Sequence, residues 1–414
     1  MIHNIYGNSY NLETFKNEHP GGSEILELTN GLYDCTPLFE SYHNFANKES
    51  LKKNLKKYLI EENTYKPIYT FNKNNFYDTL TQKVINYLKD NHKITFMSYI
   101  KFIGLSLLYC YSLYKSFISM FFVNKIIFGF ISGIINIMLG FCIMHDSSHY
   151  ALFQKSKYNV LSSIISNCSL LWNNILWKKH HVINHHSYTG KNNKLYQDPD
   201  LLTFEPYYSK IISKSINKFS NKSKLYYFIF TSIFPGMFFG QILIYIKWIF
   251  KKHVWKMQLP QTIKFSKLDI ICYLLQIYIL SSLPFLSLLS YIIAQNITYS
   301  LNIIGDHDTF ETYNNSINDK YKDITDWGAL QVIESGNWYG SKWCFFFGGI
   351  NYQIEHHLFP NIHHSHYPAI SKLVKETCQE FDIPYVHHNS IINVINSYYN
   401  KIYYVNNVEN NKIQ

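Results

Sequence analysis

The sequence predicts a mostly α-helical protein that is integral to a membrane, with about four membrane helices and a metal-binding cap on one side. Two observations lead to this fold class. Four long apolar runs interrupt an otherwise polar chain of 414 residues. Three histidine clusters lie beside or between these runs, and they read HDSSH at 145–149, HVINHH at 181–186 and QIEHH at 353–357. Helices that cross a bilayer can carry such clusters to one membrane surface.

The first three apolar runs each have the length of one membrane helix. They cover residues 96–114, with a single lysine, and residues 126–144 and 225–246, which carry no charge. A helix needs about 20 residues to cross a hydrocarbon core of about 30 Å. A shorter apolar stretch, 160–171, cannot span and is expected to form an interfacial or a buried helix.

The fourth apolar run, residues 270–305, allows two interpretations. As one helix, its uncharged residues would reach about 54 Å, with a kink at Pro284. They could also form two short spans separated at Pro284. We favour one span, because four spans in total place all three histidine clusters on the same side. Segment 247–269 would then lie on the far side, although the positive-inside rule would place its six lysines in the cytoplasm.

The charge and the cysteines of the chain favour a membrane protein that faces the cytosol. All 38 basic residues are lysines, and the formal net charge is +10. This charge reflects either a biased nucleotide composition or attraction to anionic lipid at a cytoplasmic surface. The seven cysteines are scattered without a CxxC pattern, which is typical of a reducing compartment. The polar residues 1–11 do not predict a signal peptide.

The spacing of the histidines indicates a metal site. Residues four apart on a helix share one face. His145 with His149, and His181 with His185, can therefore each direct two imidazoles at one point. Imidazole is a good ligand for iron, copper and zinc. A structural zinc site usually includes cysteine and fits less well than two metal ions, because no cysteine is suitably placed.

The three clusters and their flanks resemble the histidine boxes of membrane fatty-acid desaturases. The resemblance rests on the three clusters themselves, WK at 177–178, DPD at 198–200, NYQIEHHLFP at 351–360 and YP at 367–368. It covers about residues 95–380. Glutamine at the start of the third box is typical of desaturases that are fused to cytochrome b5, the front-end and sphingoid-base groups. The resemblance implies the helical desaturase fold, with a cytosolic di-metal cap over about four membrane helices.

The resemblance also implies a ligand set for two irons. The implied ligands are His145, His149, His181, His185, His186, His307, His356 and His357, with Gln353 as a weak ligand or a close neighbour. His307 follows the long apolar run and precedes Trp327 by 20 residues, as in relatives. Its alternative role is that of a solvated loop residue. His181 is preferred to the adjacent His180, because only His181 stands four residues before His185.

Other polar residues near the boxes are expected to play supporting roles. Three histidines after the third box are expected to be structural or on the surface: His363, His364 and His366. Asp146 and Glu355, which lie within the boxes, are expected to be exposed to water and to orient imidazoles by accepting their hydrogen bonds.

The N-terminal residues resemble a cytochrome b5 domain. His19 begins the sequence HPGG, and His43 follows 24 residues later at the end of FESYH. The resemblance implies that His19 and His43 are the two axial ligands of a haem b, which would carry electrons and leave no easy position for O₂. Residues 51–60 resemble the helix that ends the domain. Cytochrome b5 domains usually begin well before the segment at 5–8, so the sequence also allows an N-terminally truncated haem domain.

The predicted organisation has four parts. Residues 1–62 form the cytochrome b5-like haem-binding domain, 63–94 a linker, 95–385 the desaturase domain, and 386–414 a peripheral tail. The resemblance implies a front-end desaturase of the Δ5 or Δ6 type, which uses O₂ and electrons from the fused domain to desaturate an unsaturated acyl-CoA or acyl-lipid. The alternatives are a sphingolipid long-chain-base Δ8 desaturase or a hydroxylase on the same scaffold, and a non-catalytic b5-type electron carrier.

The resemblance further implies the partners and the location. NADH-cytochrome b5 reductase and membrane lipid are the expected partners, and no nucleic acid is expected. The expected location is the endoplasmic reticulum membrane, crossed several times, with the N-terminus, the histidine boxes and the C-terminus in the cytosol.

Overall fold

The computed structural model describes residues 1–167, 174–193, 195–200 and 266–404, together with a few positions between 246 and 263. Within these residues the protein is mostly helical, and strands occur in a small N-terminal domain and as short pairs elsewhere. The predicted fold class is therefore confirmed. Of the predicted span 225–246, all but the last residue lies outside the described residues, as does the end of the apolar stretch 160–171.

The N-terminal domain is a three-stranded antiparallel sheet packed with three helices. Its elements are β1 (Ile2–Ile5), β2 (Asn8–Asn11), α1 (Ser23–Thr29), α2 (Thr36–Tyr42), α3 (Lys48–Leu55), a 3-10 turn (Lys56–Tyr58) and β3 (Leu59–Glu61). β2 is the central strand. Tyr6 and Gly7 both adopt positive φ, which closes β1 and β2 as a two-residue hairpin.

The rest of the chain forms a helical body. Its helices are α4 (Phe76–Leu88), α5 (Phe96–Ile118), α6 (Phe122–Leu139), α7 (Asp146–Ser148), α8 (Ser156–Asn167), α9 (Asn174–Trp177), α10 (His186–Tyr188), α11 (Lys267–Ser281), α12 (Phe285–Ile303), α13 (Phe310–Ser316), α14 (Trp327–Ile333), α15 (Ser341–Phe346), α16 (Gln353–Leu358), α17 (Tyr367–Glu380) and α18 (Ile391–Tyr404). The strands β4 (His253–Val254) and β5 (Met257–Gln258) pair antiparallel, and β6 (Asn337–Trp338) and β7 (His387–His388) pair parallel. Two π-helical segments, Gly140–His145 and Lys178–His185, join α6 to α7 and α9 to α10.

Two helices have the length and composition of membrane spans. Among the described residues, Phe96–Ile118 and Phe122–Ser148 are long and apolar enough to cross a membrane. The outer face of α5 exposes large apolar side chains, including Ile103, Leu107 and Tyr114. A row of exposed apolar side chains on a long helix is typical of contact with lipid.

The apolar run 270–305 folds into two helices rather than one. α11 and α12 are separated by residues 282–284, where Pro284 cannot donate the backbone hydrogen bond of a continuous helix. The turn lies beside the far end of α5, because the hydroxyl of Ser287 donates to the carbonyl of Ser116 at 2.9 Å. The favoured prediction of a single helix over 270–305 is therefore wrong. The alternative prediction, two segments separated at Pro284, describes the structure.

Both ends of this hairpin lie on the side of the histidine clusters. Ile263, shortly before α11, is buried in the same cluster as Ile183 of the second histidine segment. Asp269, in the first turn of α11, interacts electrostatically with Lys178. The prediction that segment 247–269 lies on the far side is therefore wrong for these residues. Among the described residues, the apolar helices α5, α6, α11 and α12 are four in number, and the last two form a hairpin that begins and ends on this side.

The main core of the body lies in the cap and joins elements from distant parts of the chain. Tyr77 and Leu80 of α4 pack with Trp327 of α14, Ile354 of α16 and Ile370 of α17. The predicted linker 63–94 thus contributes a helix to this core. Beyond residue 385, β7 pairs with β6 and α18 packs against α13.

Helices α6 and α12 approach closely at two glycines that are four residues apart. A Cβ on Gly129 would meet Ser290 and the backbone of Ser287, and a Cβ on Gly133 would meet the carbonyl of Tyr291. Small residues at this spacing allow the backbones of apolar helices to come together. This contact aligns the end of α6, from which the first histidine cluster extends.

We expect that Gly133→Ala separates α6 from α12 and lowers the stability of the folded chain by about 1–3 kcal/mol, because the added methyl group has no space. Thermal unfolding in detergent would measure the effect. Gly104→Ala is the matched control, since no described atom lies within 4 Å of a Cβ placed on Gly104 of α5. Equal unfolding temperatures for both variants would contradict the close contact.

Candidate metal centre

The first histidine cluster stands at the end of α6, where the helix widens into a π-helical turn. His145 ends the π-helical segment, and His149 directly follows α7. The amide of His149 donates to the carbonyl of His145 at 3.2 Å, and the two ring centroids are 4.8 Å apart. Segments of π-helix are rare and occur frequently at functional sites.

The second cluster lies on the other π-helical segment, and this changes which histidines face each other. The amide of His186 donates to the carbonyl of His181, five residues earlier. A π-helical turn therefore brings these two side chains onto one face, and their Nε2 atoms are 3.3 Å apart. His185 stacks beside His181 with ring centroids 5.3 Å apart but joins a different set of histidines. The expectation that His181 and His185 direct their rings at one point is therefore wrong.

The third cluster reaches the other two through a close backbone contact. Gly348 has a φ of +65°, and a Cβ there would collide with the backbone of Phe141 near the end of α6. Glycine therefore lets this loop pass directly against α6. The six-residue helix α16 then presents His356 and His357. Consecutive residues point about 100° apart on a helix, so these two histidines face different sets of imidazoles.

Four histidines form the first of these sets, which we call group A. They are His145, His149, His181 and His356, all buried, and their ligand atoms lie within 4.8 Å of one another. The Nε2 atoms of His145 and His181 are 3.1 Å apart. Nitrogens at neighbouring positions around one ion, with bonds of about 2.0–2.1 Å, are separated by about 3 Å. Group A therefore has the spacing of ligands to one ion.

Three further histidines form group B. They are His185, His307 and His357, whose ligand atoms also lie within 4.8 Å of one another. The amide nitrogen of Gln353 lies 3.0 Å from Nε2 of His307 and 3.1 Å from Nε2 of His357. Oxygen and nitrogen of an amide are assigned by their surroundings. The reverse orientation of Gln353 would direct its oxygen at group B.

His186 lies between the two groups. Its ring stacks on that of His357 of group B at 4.2 Å between centroids, and its Nε2 is 3.3 Å from Nε2 of His181 of group A. The structure thus brings together all eight histidines named from the sequence, and Gln353 with them. Their roles as ligands remain a proposal.

Five of the eight imidazoles are held from outside by a partner on Nδ1. The pairs are His149 with the hydroxyl of Tyr42 at 2.6 Å, His185 with Asp198 at 3.0 Å, His307 with the carbonyl of Glu334 at 2.8 Å, His356 with the hydroxyl of Tyr367 at 3.3 Å, and His357 with the amide oxygen of Gln331 at 2.7 Å. An acceptor at Nδ1 fixes the ring and leaves Nε2 for a metal. None of these five partners was predicted from the sequence. Asp198 and Tyr367 lie in the motifs that flank the boxes and Tyr42 lies in FESYH, whereas no sequence motif contains Gln331.

Burial keeps most of these imidazoles uncharged. It lowers the pKa of His149, His181, His186, His356 and His357 well below the usual value, and the neighbouring imidazoles add to the effect. Burial also lowers the pKa of His307, to about 4. Burial acts in the same direction on His185, but the carboxylates of Asp198 and Asp200 outweigh it and raise the pKa of His185 to about 9. Neutral imidazole is the form that binds a metal.

The residues present fit metal ions. Within the described part of the chain, no hydrogen-bond partner exists for the buried atoms Nε2 of His149, Nε2 of His356 and Oε1 of Gln353. Buried polar atoms normally have partners, so such atoms at one place indicate a missing ligand. Nitrogen ligands of this kind suit iron, copper and zinc.

Asp146 is buried rather than exposed to water. Its carboxylate accepts a hydrogen bond of 2.6 Å from Nδ1 of His364, and it lies 3.6 Å from Nδ1 of His145. The prediction that Asp146 is exposed to water is therefore wrong. The loop at 359–366, which follows the third histidine box and is called the third-box loop, covers the end of α6. His363 also approaches this carboxylate, whereas His366 binds the carbonyl of Lys93.

Glu355 is also buried, and in the described structure its carboxylate binds no imidazole. It accepts hydrogen bonds from the amide of Asn337 and the hydroxyl of Tyr385. Burial raises its pKa to about 8. The prediction that Glu355 is exposed to water and orients an imidazole is therefore wrong, because α16 lies inside the core of the cap. Outside both groups, His180 binds Asp200 at 2.6 Å, in agreement with the preference for His181.

The N-terminal domain brings His19 and His43 together. Their ring centroids are 6.3 Å apart. Nδ1 of His43 donates to the carbonyl of Phe39 at 2.8 Å, which leaves Nε2 available. Burial lowers the pKa of His19 to about 4 and also lowers that of His43. Metal–imidazole bonds are about 2 Å long, so the gap between the rings fits one iron between two neutral axial ligands.

The fold and the site define a protein of apolar helices that carries two buried groups of histidines and a small N-terminal domain with a further histidine pair. The description "Fatty acid desaturase" matches residues 121–389, and "Cytochrome b5-like Heme/Steroid binding domain" matches residues 3–63. The chain belongs to the fatty acid desaturase family and carries a cytochrome b5-like domain. It is therefore an oxidoreductase, and its family is associated with membranes. The cytochrome b5-like domain implies haem, and the desaturase family implies two irons.

Relatives with this architecture cover nearly the whole chain. An acyl-lipid (8-3)-desaturase B of Dictyostelium discoideum is 26% identical over 97% of this chain and 90% of its own length. An acyl-lipid (8-3)-desaturase of Physcomitrium patens is 27% identical over 92% of this chain and 83% of its own length. A Delta(8)-fatty-acid desaturase of Borago officinalis is 25% identical, over 92% and 85% respectively. No solved structure matches the chain significantly.

We expect that Asp198→Asn weakens iron binding by about 10–100-fold, because loss of an outer carboxylate removes the orientation and basicity that it gives to His185. Competition with a coloured chelator, followed by metal analysis, would measure the affinity. Asp319→Asn is the control, since its carboxylate is 95% exposed and remote from the groups. Unchanged iron affinity in Asp198→Asn would contradict the role of this carboxylate.

Proposed function

We propose that the chain is a front-end acyl desaturase of the Δ5 or Δ6 type, which uses O₂ to insert a double bond into an unsaturated acyl chain. The observation that carries the proposal is the convergence of groups A and B at the end of the apolar helices. Membership of the fatty acid desaturase family supports the reaction. Relatives named Delta(5) desaturases support its position near the carboxyl end.

The eight clustered histidines would hold two non-haem irons. Group A would provide four ligands to one iron and group B three to the other, with His186 between them and Gln353 beside group B. Bound irons would supply the O₂ activation that removes hydrogen from an unactivated methylene, which no side-chain acid or base can do. The helices hold the imidazoles in fixed positions, and burial excludes bulk water from them.

An apolar cluster beside group A is suited to hold the acyl chain. Phe141 and Met144 at the end of α6 pack with Ile350, and Trp177 and Tyr299 join them. The ring of Trp177 stacks on that of His181 at 4.3 Å between centroids. A methylene group that lies against this wall would therefore be close to group A. An acyl-CoA or an acyl-lipid is the substrate that we propose.

The N-terminal domain would supply electrons. His19 and His43 would hold a haem b, which carries one electron at a time. NADH-cytochrome b5 reductase is the proposed donor. We place the protein in the endoplasmic reticulum membrane, with the N-terminal domain, the boxes and the C-terminus in the cytosol. Contacts between the N-terminal domain and the second-box helix support a common side for them.

The alternatives differ in their support. A non-catalytic electron carrier is not supported, because the chain belongs to a family of enzymes. The sphingoid-base Δ8 desaturase and the hydroxylase share the same site, and product analysis distinguishes them from an acyl desaturase.

We expect that yeast expressing the chain converts C18 or C20 polyunsaturated acids to products with one more double bond near the carboxyl end. Mass spectrometry of derivatised lipids would locate the new bond. His185→Ala should abolish the product, because group B loses one of its three nitrogen donors.

His387→Ala is the control for this experiment. His387 is exposed on β7 and binds the carbonyl of Tyr339, away from both groups. Full activity of His185→Ala would overturn the proposed ligand set. Products altered only in the sphingoid bases, or hydroxylated products, would overturn the proposed substrate or reaction.

A further inference from the structure

The two proposed redox sites meet at one side chain, Tyr42. It is the last residue of α2 and directly precedes His43, the proposed haem ligand. Its hydroxyl lies 2.6 Å from Nδ1 of His149 in group A, and the two rings are nearly parallel, 9° apart. The residue is half-buried at the contact with the desaturase domain. A single side chain of the N-terminal domain thus contacts a proposed iron ligand.

The chemistry of His149 determines the direction of this hydrogen bond. Nε2 of His149 has no hydrogen-bond partner among the described residues and lies with the ligand atoms of group A. A neutral imidazole that offers Nε2 to a metal carries its hydrogen on Nδ1. Nδ1 of His149 therefore donates to the hydroxyl oxygen of Tyr42.

Tyr42 is also held by the third-box loop. The side-chain amide of Asn361 donates to the carbonyl of Tyr42 at 3.1 Å. Asn361 stands four residues after His357 of group B. The position of Tyr42 is therefore fixed by the desaturase domain at both its backbone and its hydroxyl.

Among the described residues, the other hydrogen bonds between the domains do not end on an imidazole of the two groups. The hydroxyl of Tyr188 bonds to the backbone of Asp34, and Lys179 donates to the carbonyl of Leu28. Within the described part of the chain, Tyr42 makes the hydrogen bond that joins residues 1–62 to a ring nitrogen of groups A and B. These two contacts reach an imidazole only through further backbone, from Lys179 to His181 and from Tyr188 to His186.

We propose that Tyr42 is the residue through which electrons pass from the haem held by His43 to the iron held by His149. This inference rests on the proposed function. The route runs from His43 along the backbone to the Tyr42 ring and then crosses one hydrogen bond to His149. One electron leaves the ferrous haem, which becomes ferric, and one arrives at a ferric non-haem iron, which becomes ferrous. Tyr42 keeps its own electrons and its proton.

The experiment measures the oxidation state of the haem rather than the amount of desaturated product. The detergent-solubilised holoprotein, with ferric haem and ferric non-haem iron, receives less than one electron per chain from a flash-activated flavin reductant, without O₂ or substrate. Haem absorbance then reports its reduction and its subsequent reoxidation within the same molecule. We expect that Tyr42→Phe slows this reoxidation by about tenfold or more, the scale on which removal of a partner from a metal-bound histidine acts.

Tyr188→Phe is the matched control. It also removes one buried hydroxyl from the interface between the domains, but that hydroxyl touches no imidazole of the groups. Its reoxidation rate should equal that of the wild type. Iron content and the haem spectrum are measured on every sample, and rates are compared per iron-loaded chain. Equal rates in Tyr42→Phe and the wild type would overturn the inference.

Two further results separate the inference from the function on which it rests. If the iron-loaded wild type reoxidises its haem no faster than the iron-free chain, the proposed function is wrong and the inference falls with it. If Tyr42→Phe fails to retain haem or iron, Asn361→Ala tests the same route through a second contact, because it releases the backbone carbonyl of Tyr42. Slower reoxidation in Asn361→Ala supports the route, and an unchanged rate overturns it.

Discussion

The structure depends on the burial of uncharged imidazoles around two points. A buried ring nitrogen without a partner costs about 1–3 kcal/mol, so each imidazole needs acceptors on one side and a ligand on the other. The outer partners come from every part of the chain, from Tyr42 in the N-terminal domain to Tyr367 in α17. The inner nitrogens of His145, His181 and His186 face each other at 3.1–3.3 Å, a spacing that suits ligands around one cation. The positions of α6, α10 and α16 follow from this requirement.

The π-helical segments explain how three short clusters supply two groups. In a regular α-helix, His181 and His185 would share a face and His186 would turn away. The wider turn pairs His181 with His186 and allows His185 to reach His307 and His357. Backbone geometry thus divides the histidines of one sequence motif between groups A and B. The paired carboxylates at 198 and 200 then hold His185 in its separate orientation.

The N-terminal domain is built into the site rather than attached by a flexible link. Its leucines share a core with Ile175 and Ile183 of the second-box helix, and Lys178 forms an ion pair with Glu24 across the boundary. An apolar interface with buried polar contacts fixes the relative position of two domains. His19 and His43, the proposed haem ligands, therefore keep a constant position relative to group A. If this domain donates electrons to the histidine groups, as proposed, its fixed position means that no diffusional encounter is needed for each electron.

The sequence by itself determined the fold class and indicated the eight clustered histidines and the pair His19 and His43, because these depend on composition and on spacing within short segments. Apolar runs and clustered histidines are local patterns, and they can be recognised without knowing the tertiary structure. The structure alone decided that the run 270–305 turns at Pro284 and that Asp146 and Glu355 are buried. It alone also joined Tyr42 to His149, which are 107 residues apart. Such features depend on which distant elements pack together, and no local periodicity contains that information.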